Sequence, residues 1–288
     1  MDTKDLLKKV RKIEIKTKTL SNQLFGGEYH SRFKGKGMTF SEVRPYYFGD
    51  DIRTIDWNVT ARYNEPFVKV FEEERELTMM VVVDVSGSES FATHKQFKNE
   101  VLTEIAATLA FSATQNNDKI GVILFTDKIE LFIPPKKGRH HVLRIIRELI
   151  EFLPMSSRTN IAEPIKFLSN VLRKKTIVFI LSDFMDKNYQ KPLMIASKRH
   201  DITGIRVYDK VEEEIPKLGV VQMQDKERGK IMLVNTQSKK VRKAYKKHYQ
   251  STVDYFKNSF KMSGAGNIEI EVGEGYIKPL LTYFKSRA

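Results

Sequence analysis

The chain has 288 residues, of which 41% are hydrophobic and 30% charged, and its formal net charge is +14 at pH 7. This is the composition of a globular protein with enough apolar residues for one large core. The absence of cysteine excludes disulfides, thiolate metal sites and cysteine nucleophiles. No apolar run reaches the roughly 20 residues of a membrane helix, and the first residues lack the apolar stretch of a secretory signal. We therefore expect an intracellular protein without a membrane span.

Residues 1–76 are predicted to form an N-terminal segment that packs on the main domain. Within it, residues 4 to about 24 have the apolar spacing of an amphipathic helix with a basic face. A stretch rich in glycine and aromatic residues follows at 35–57. Because so much aromatic surface would form an exposed patch if it were left uncovered, we expect Trp57 to be buried.

Five consecutive apolar residues at 79–83 predict a strand that is buried on both faces, because they are too few for a membrane span and too rich in β-branched residues for a preferred helix. Asp84, Ser86 and Ser88 follow this strand at alternate positions. They stand beyond the carboxyl end of the strand, where an open α/β sheet binds its ligand. One carboxylate and two hydroxyls suit a hard, oxygen-seeking cation such as Mg²⁺. The sequence therefore predicts a cation site after this strand.

The rest of the chain alternates between apolar strand patterns and helical patterns. Further strands are predicted at 119–125, 128–133, 176–181, 202–208 and 268–272. Helices are predicted at 94–115, 138–152, 161–173, 187–199, 238–260 and 276–287. This alternation is typical of an α/β protein with a doubly wound, mainly parallel sheet.

One edge of this sheet is predicted to be antiparallel. Only two residues separate the strands at 119–125 and 128–133, and such a short connection favours a hairpin. Pro134 and Pro135 are expected to end the second of these strands. The sheet is therefore expected to be parallel except for one antiparallel edge strand.

A second hairpin is expected outside the sheet. Short strand patterns at 219–224 and 230–234 flank a polar turn and interrupt the alternation of strands and helices. We interpret them as a hairpin insert at about 210–235, within a single main domain that spans residues 77–288.

Two groups of residues carry a resemblance to known families. A sheet of this kind with Asp84-x-Ser86-x-Ser88 after its first strand, Thr159 in a later loop and Asp183 after its fourth strand resembles the von Willebrand factor A domain with its metal-ion-dependent adhesion site. Upstream residues are similar to the signature of the bacterial family called domain of unknown function 58. These residues are Gly35-x-Gly37, Phe40, Arg44, Tyr47, Gly49-Asp50-Asp51, Arg53 and Ile55-Asp56-Trp57.

The resemblance implies a ligand set and a partner class. Ser86, Ser88 and Thr159 would contact Mg²⁺ or Mn²⁺ directly, whereas Asp84 and Asp183 would hold the cation through water. The open coordination position would take a carboxylate from a partner protein. Members of the family are often encoded beside AAA+ ATPases of the MoxR type. The resemblance therefore implies that this chain is a cytoplasmic partner or adaptor of such an ATPase, and that the ATPase or its client donates the carboxylate. We expect the chain to have no catalytic activity of its own.

Other interpretations stay open at this point. Glu89 stands where the family has a small or apolar residue, and the metal site of an A-type domain can also stay empty. From Thr236 onward there are eleven Lys and Arg against four Asp and Glu, so the basic C-terminal helix offers nucleic-acid or anionic-surface binding as an alternative. A metal-dependent phosphatase of the haloacid dehalogenase type also has an aspartate after its first strand, but Ser86 replaces its second acid.

Overall fold

The fold is described from a computed structural model, which describes residues 38–73, 77–86, 95–224 and 231–287. These residues fall into two compact units, one that ends at Leu77 and one that begins at Thr78. The helix predicted at 4–24 lies outside the described residues. The predicted packing of residues 1–76 on the main domain stays a prediction.

The first unit is a two-stranded antiparallel sheet with two short helices. Its strands are β1, Met38–Pro45, and β2, Phe67–Glu73. Between them lie a 3-10 helix, Ile52–Thr54, and helix α1, Trp57–Tyr63. The alternation of apolar and polar residues from Phe67 to Phe71 predicts a strand, and β2 confirms it. The sequence patterns missed β1, because a bulge between Phe40 and Glu42 interrupts the alternation of that strand.

Side chains of aspartate hold the turns of this first unit. Asp50 accepts two hydrogen bonds from the guanidinium of Arg44, at 2.7 and 2.8 Å. Asp56 begins α1 by accepting hydrogen bonds from the backbone N–H groups of Asn58 and Val59. Trp57, the first residue of this helix, is 68% exposed. The prediction that Trp57 is buried is therefore wrong, because the capped helix turns its first side chain towards solvent.

The second unit contains a six-stranded sheet with helices on both faces. Its strands are β3, Thr78–Asp84; β4, Lys119–Phe125; β5, Ile129–Lys136; β6, Ile177–Ser182; β7, Asp201–Tyr208; and β10, Gly266–Glu271. Its helices are α2, Lys95–Gln115; α3, Arg139–Glu151; α4, Ala162–Val171; α5, Gln190–Ser197; α6, Lys239–Ser263; α7, Ile277–Arg287; and a 3-10 helix, Lys210–Glu213.

The strands lie in the order β10, β7, β6, β3, β4, β5, and all pairs are parallel except β4 with β5. This order confirms the predicted fold class, an α/β fold with a doubly wound, mainly parallel sheet and one antiparallel edge strand. Strand β5 continues through Pro134 and Pro135 to Lys136, so the prediction that the two prolines end it is wrong. An edge strand tolerates proline because its outward N–H groups need no partner in the sheet.

A core cluster lies between the sheet and helices α4, α5 and α6. Met80 and Val82 of β3 and Val178 and Ile180 of β6 face it, and their side chains are fully buried. The intervening residues of the same strands are buried as well, as expected for strands covered on both faces. Helix α2 packs against β3 and β4. The central strands are therefore buried on both faces, and this packing positions their carboxyl ends.

A hairpin outside the main sheet leads into the longest helix that the structure describes. Strands β8, Val220–Gln224, and β9, Ile231–Asn235, pair with each other as a separate antiparallel sheet. This arrangement agrees with the predicted insert, although the turn at 225–230 lies outside the described residues. Helix α6 then runs 25 residues and ends at Gly264, whose positive φ of 68° terminates the helix.

Candidate metal site at the carboxyl edge of the sheet

Two neighbouring parallel strands present polar side chains at their carboxyl ends. Strand β3 ends at Asp84, and strand β6 ends at Ser182 and is followed by Asp183. Because β3 and β6 pair directly and in parallel, these ends lie side by side at one edge of the sheet. The loop between α3 and α4 brings Thr159 to the same edge.

Asp84 is a buried carboxylate that accepts hydrogen bonds on both oxygens. Oδ1 accepts from the backbone N–H of Ser86 at 2.9 Å and from its hydroxyl at 2.5 Å. Oδ2 accepts from the hydroxyl of Ser182 at 2.6 Å. The side chain is 7% exposed, so these bonds fix its orientation within the sheet edge.

Thr159 meets Ser86 although 73 residues separate them in the chain. The hydroxyl oxygens of the two side chains are 2.5 Å apart. Three of the five sequence-predicted ligands, Asp84, Ser86 and Thr159, thus converge within contact distance. Ser88 and Glu89 lie outside the described residues, so the position of the second serine stays a prediction.

Backbone contacts anchor the loop that carries Thr159. The N–H of Asn160 donates to the carbonyl oxygen of Thr126, beyond the end of β4, at 3.1 Å. The N–H of Ile161 donates to the carboxylate of Asp186, beyond the end of β6, at 2.8 Å. The hydroxyl of Thr159 is therefore positioned by the loops that follow two strands of the sheet.

Ser182 is a site residue that the sequence analysis missed. Its hydroxyl donates to Asp84 and accepts from the backbone N–H of Phe184 at 3.0 Å. It therefore links the carboxylate at the end of β3 to the turn that carries Asp183. A serine at the end of an apolar strand was visible in the sequence, but its spacing matched no ligand motif.

Asp183 has a cationic neighbour that the sequence analysis also missed. The ammonium Nζ of Lys98, on α2, lies 3.2 Å from Oδ2 of Asp183 and 3.1 Å from both carboxylate oxygens of Glu212. Burial acts to lower the pKa of Lys98, but the negative charges of Asp183 and Glu212 outweigh it and raise this pKa. Lys98 is therefore a buried, charged cation beside the predicted site.

The turn after Asp183 has an unusual backbone. Phe184 has a φ of 55° although it is a bulky residue, a conformation that costs free energy and needs support from its surroundings. Its ring supplies that support by packing on Phe256 and Phe260, with ring centroids 4.4 and 5.4 Å apart. The buried guanidinium of Arg206 also donates to the carbonyl oxygen of Asp183 at 3.3 Å.

A family model described as "Protein of unknown function DUF58" matches residues 42–254, which is well over half of the chain. The chain belongs to the DUF58 family. The family membership expected from the sequence is therefore confirmed.

A relative and two solved structures are similar to this DUF58 chain. The uncharacterized protein Rv1480 of Mycobacterium tuberculosis is 30% identical over 232 residues, which cover 80% of this chain and 73% of that protein. An aerotolerance-related membrane protein from Bacteroides fragilis matches with a TM-score of 0.46 and 12% identity, over 73% of this chain and 99% of that chain. The SpRpn10 VWA domain matches with a TM-score of 0.36 and 10% identity, over 74% of this chain and 95% of that chain. The similarities to these two solved structures are too distant to support an inference about function.

The sheet edge of this DUF58 chain buries negative charge that a bound positive charge would stabilise. The pKa of the Asp84 carboxyl is raised to about 7, chiefly by burial and then by the negative charge of Asp183, while the hydrogen bonds from Ser182 and Ser86 oppose the rise. Either a proton or a cation relieves this unfavourable burial of charge. A hard divalent cation is one species that would do so.

The side chains at this edge fit Mg²⁺ by their chemistry. All the donors brought together here are oxygens, which is the ligand type that Mg²⁺ and Mn²⁺ prefer. Within the described ranges, no three His, Asp or Glu side chains are grouped so that they could hold a metal ion. A site at this edge therefore depends on hydroxyl ligands beside its carboxylates.

One further observation concerns membranes. Among the helices of the described residues, none is both long enough and apolar enough to span a bilayer.

Proposed function

We propose that this DUF58 chain is a protein-interaction module that binds Mg²⁺, or Mn²⁺ in its place, and uses the cation to capture a carboxylate of a partner protein. The observation that carries the proposal is the convergence of oxygens from Asp84, Ser86 and Thr159, with both contacts of Ser86 at 2.5 Å. Ser88 and Asp183 complete the proposed ligand set. Because most of these ligands are neutral or act through water, the cation keeps a position for one more oxygen ligand.

Exposed apolar residues flank the proposed ligands along the chain. Leu153 and Met155, in the loop that carries Thr159, are 86% and 82% exposed, and Met185, two residues after Asp183, is 40% exposed. Apolar side chains exposed beside a polar site are typical of protein-binding surfaces, and methionine adapts its shape to different partners. These residues support a protein as the ligand.

The proposed partner is a MoxR-type AAA+ ATPase, the class that the family resemblance implies. In this proposal the chain acts in the cytoplasm as a partner or adaptor of the ATPase and performs no catalytic step itself. An Asp or Glu side chain of the ATPase would supply the carboxylate, and the exposed apolar residues in the loops that carry Thr159 and Asp183 would contact the surface next to it.

The test is the affinity of the purified chain for a MoxR-type AAA+ ATPase of the same organism, measured with Mg²⁺ and with EDTA. We expect binding with Mg²⁺, loss of binding with EDTA, and loss of binding in Asp84→Ala at saturating Mg²⁺. Asp254→Ala removes an exposed aspartate from α6 and is the matched control, which should bind like the wild type. Equal affinity of Asp84→Ala and the wild type would refute the proposal.

A second candidate function rests on the amino-terminal half of α6. Its exposed cations form a basic surface that could bind nucleic acid or another anionic surface. They are Lys239, Lys240, Lys243, Lys246 and Lys247. Such binding would weaken steeply with added salt and would not respond to a chelator. The same affinity measurement, repeated over a range of salt concentrations, separates the two candidates.

A further inference from the structure

Lys98 is the buried cation that lies nearest to the proposed metal ligands in the described contacts. Lys98 is 6% exposed, and its ammonium group contacts two carboxylates, those of Asp183 and Glu212. Asp183 belongs to the proposed ligand set, whereas Glu212 lies on the 3-10 helix Lys210–Glu213. Lys98 thus lies between the proposed metal site and the carboxylate of Glu212, which is not a proposed metal ligand.

The ammonium group of Lys98 lies at contact distance from two carboxylates. The distances from Nζ to Asp183 and to Glu212 are nearly equal, 3.2 and 3.1 Å. The side chain of Glu212 is 25% exposed, against 16% for Asp183, so both carboxylates are partly shielded from water. An ammonium group on a flexible stem can shift between such partners with little rearrangement of the backbone.

Lys98 and a divalent cation compete for the same negative charge. Asp183 would help to hold Mg²⁺, yet it already contacts an ammonium group, which it shares with Glu212. Two cations that share one carboxylate in a shielded environment repel each other. The presence of Lys98 therefore lowers the affinity of the site for Mg²⁺ and stabilises the protein when no metal is bound.

We propose that Lys98 is a built-in counter-ion of the metal site: it neutralises Asp183 when the site holds no divalent cation, weakens the binding of Mg²⁺, and turns to Glu212 when Mg²⁺ binds. This inference rests on the metal site of the proposed function and adds its regulation. It makes Lys98 a positioning residue, because it acts on the cation through Asp183. A weak intrinsic affinity would make stable occupancy of the site depend on the partner's carboxylate.

The consequence extends to the segment that follows β7. The hydroxyl of Tyr245, on α6, donates to the backbone carbonyl of Glu212 at 2.9 Å, so Glu212 is attached to the long helix. A shift of Lys98 from Asp183 to Glu212 therefore changes the charge balance next to α6. Binding of a divalent cation at the site would in this way change the electrostatic environment of α6.

The test is the affinity of the full chain for Mg²⁺ alone, measured by titration calorimetry. Lys98→Met removes the charge but keeps the length of the side chain, and we expect it to bind Mg²⁺ at least about tenfold more tightly than the wild type. Lys98→Arg keeps the charge and should bind like the wild type. Lys257→Met removes an exposed lysine that pairs with Glu269 at 2.7 Å and not with a proposed metal ligand, and it should leave the affinity unchanged.

The thermal midpoint provides a second readout. Lys98→Met leaves two shielded carboxylates without their ammonium partner, so Mg²⁺ should raise its midpoint more than that of the wild type. If Lys98→Met does not fold, Glu212→Gln tests the same inference. It leaves Lys98 with Asp183 as its carboxylate partner, and the affinity for Mg²⁺ should fall.

The outcomes separate this inference from the proposed function. Binding of Mg²⁺ to the wild type with equal or weaker affinity in Lys98→Met would overturn the role of Lys98 and leave the metal site intact. An affinity that is unchanged or higher in Glu212→Gln would overturn it as well. If neither the wild type nor any variant binds Mg²⁺, the metal site itself is refuted, and the inference falls with it.

Discussion

Asp84 is a buried carboxyl group close enough to Asp183 for the charge of one to affect the other. Its three hydrogen bonds come from Ser86 and Ser182 and hold its two oxygens in place. Hydrogen bonds alone do not neutralise a buried negative charge. The residue therefore has a protonated form that suits the metal-free protein and a charged form that suits a bound cation.

The raised pKa of Asp84 predicts how the stability of the protein depends on pH in the presence of EDTA. The pKa of Asp84 is about 7 in the folded protein and about 3.9 in an unfolded chain. Between these values the unfolded chain releases a proton that the folded protein retains. The contribution of Asp84 is therefore fully present below about pH 4 and is lost as the pH rises through about 7.

The prediction is measured by urea unfolding of the wild type and of Asp84→Asn between pH 4.5 and pH 7.5, a range set by those two pKa values. The free energy of unfolding of the wild type should fall relative to that of Asp84→Asn as the pH rises. Asp254→Asn, which changes an exposed aspartate, is the matched control. If the free energies of unfolding of the wild type and of Asp84→Asn change in parallel over this range, burial does not raise the pKa of Asp84.

Among the elements, β7 and α6 together support the turn that carries Asp183. Gly204, within β7, lies directly under Phe260 of α6, and a Cβ atom at this position would come 2.4 Å from Cζ of that ring. The same Cβ would lie 3.1 Å from the ring of Phe184. The absence of a side chain at Gly204 thus allows the two rings to pack against the sheet, and the packed ring of Phe184 holds its strained backbone.

We predict that Gly204→Ala destabilises the fold by about 1–3 kcal/mol, because the rings of Phe260 and Phe184 are buried and have little room to move. Urea unfolding measures this cost. Phe260→Leu makes room at the contact, so the double variant Gly204→Ala/Phe260→Leu should lose less stability than the sum of the two single changes. Additive losses would show that Gly204 and Phe260 do not share this constraint.

At the level of elements, the sequence patterns succeed where an apolar run is long and regular. Strands β3, β6 and β7 are buried over most of their length, so their apolar residues alone were enough to predict them. It failed at β1, where a bulge breaks the alternation, and at Pro134, where the edge position of β5 overrides the usual effect of proline. Both errors arise from tertiary context that a local pattern does not contain.

At the scale of the molecule, the topology explains why distant residues meet. Parallel strands present their carboxyl ends at one edge, so the meeting of Asp84 with the turn after β6 could be predicted from the order of strands and helices. The roles of Ser182, Lys98 and Glu212 could not. The roles of Lys98 and Glu212 depend on how the start of α2 and the segment after β7 pack over the edge, and no sequence motif encodes that packing.

The central claim is that one divalent cation binds where Asp84, Ser86 and Thr159 converge. The most direct measurement is a titration of the full chain with Mn²⁺, followed by electron paramagnetic resonance of the free ion. Ser86→Ala and Thr159→Val each remove one hydroxyl with little change of shape. Thr114→Val removes a hydroxyl that donates to Ala110 within α2 and is the matched control.

We predict that the wild type and Thr114→Val bind one Mn²⁺ ion per chain, and that Mg²⁺ displaces it. Ser86→Ala and Thr159→Val should each weaken this binding by about tenfold or more, because each removes an oxygen ligand. Equal Mn²⁺ binding by all four proteins, or no binding by the wild type, would contradict a metal site at this edge of the sheet.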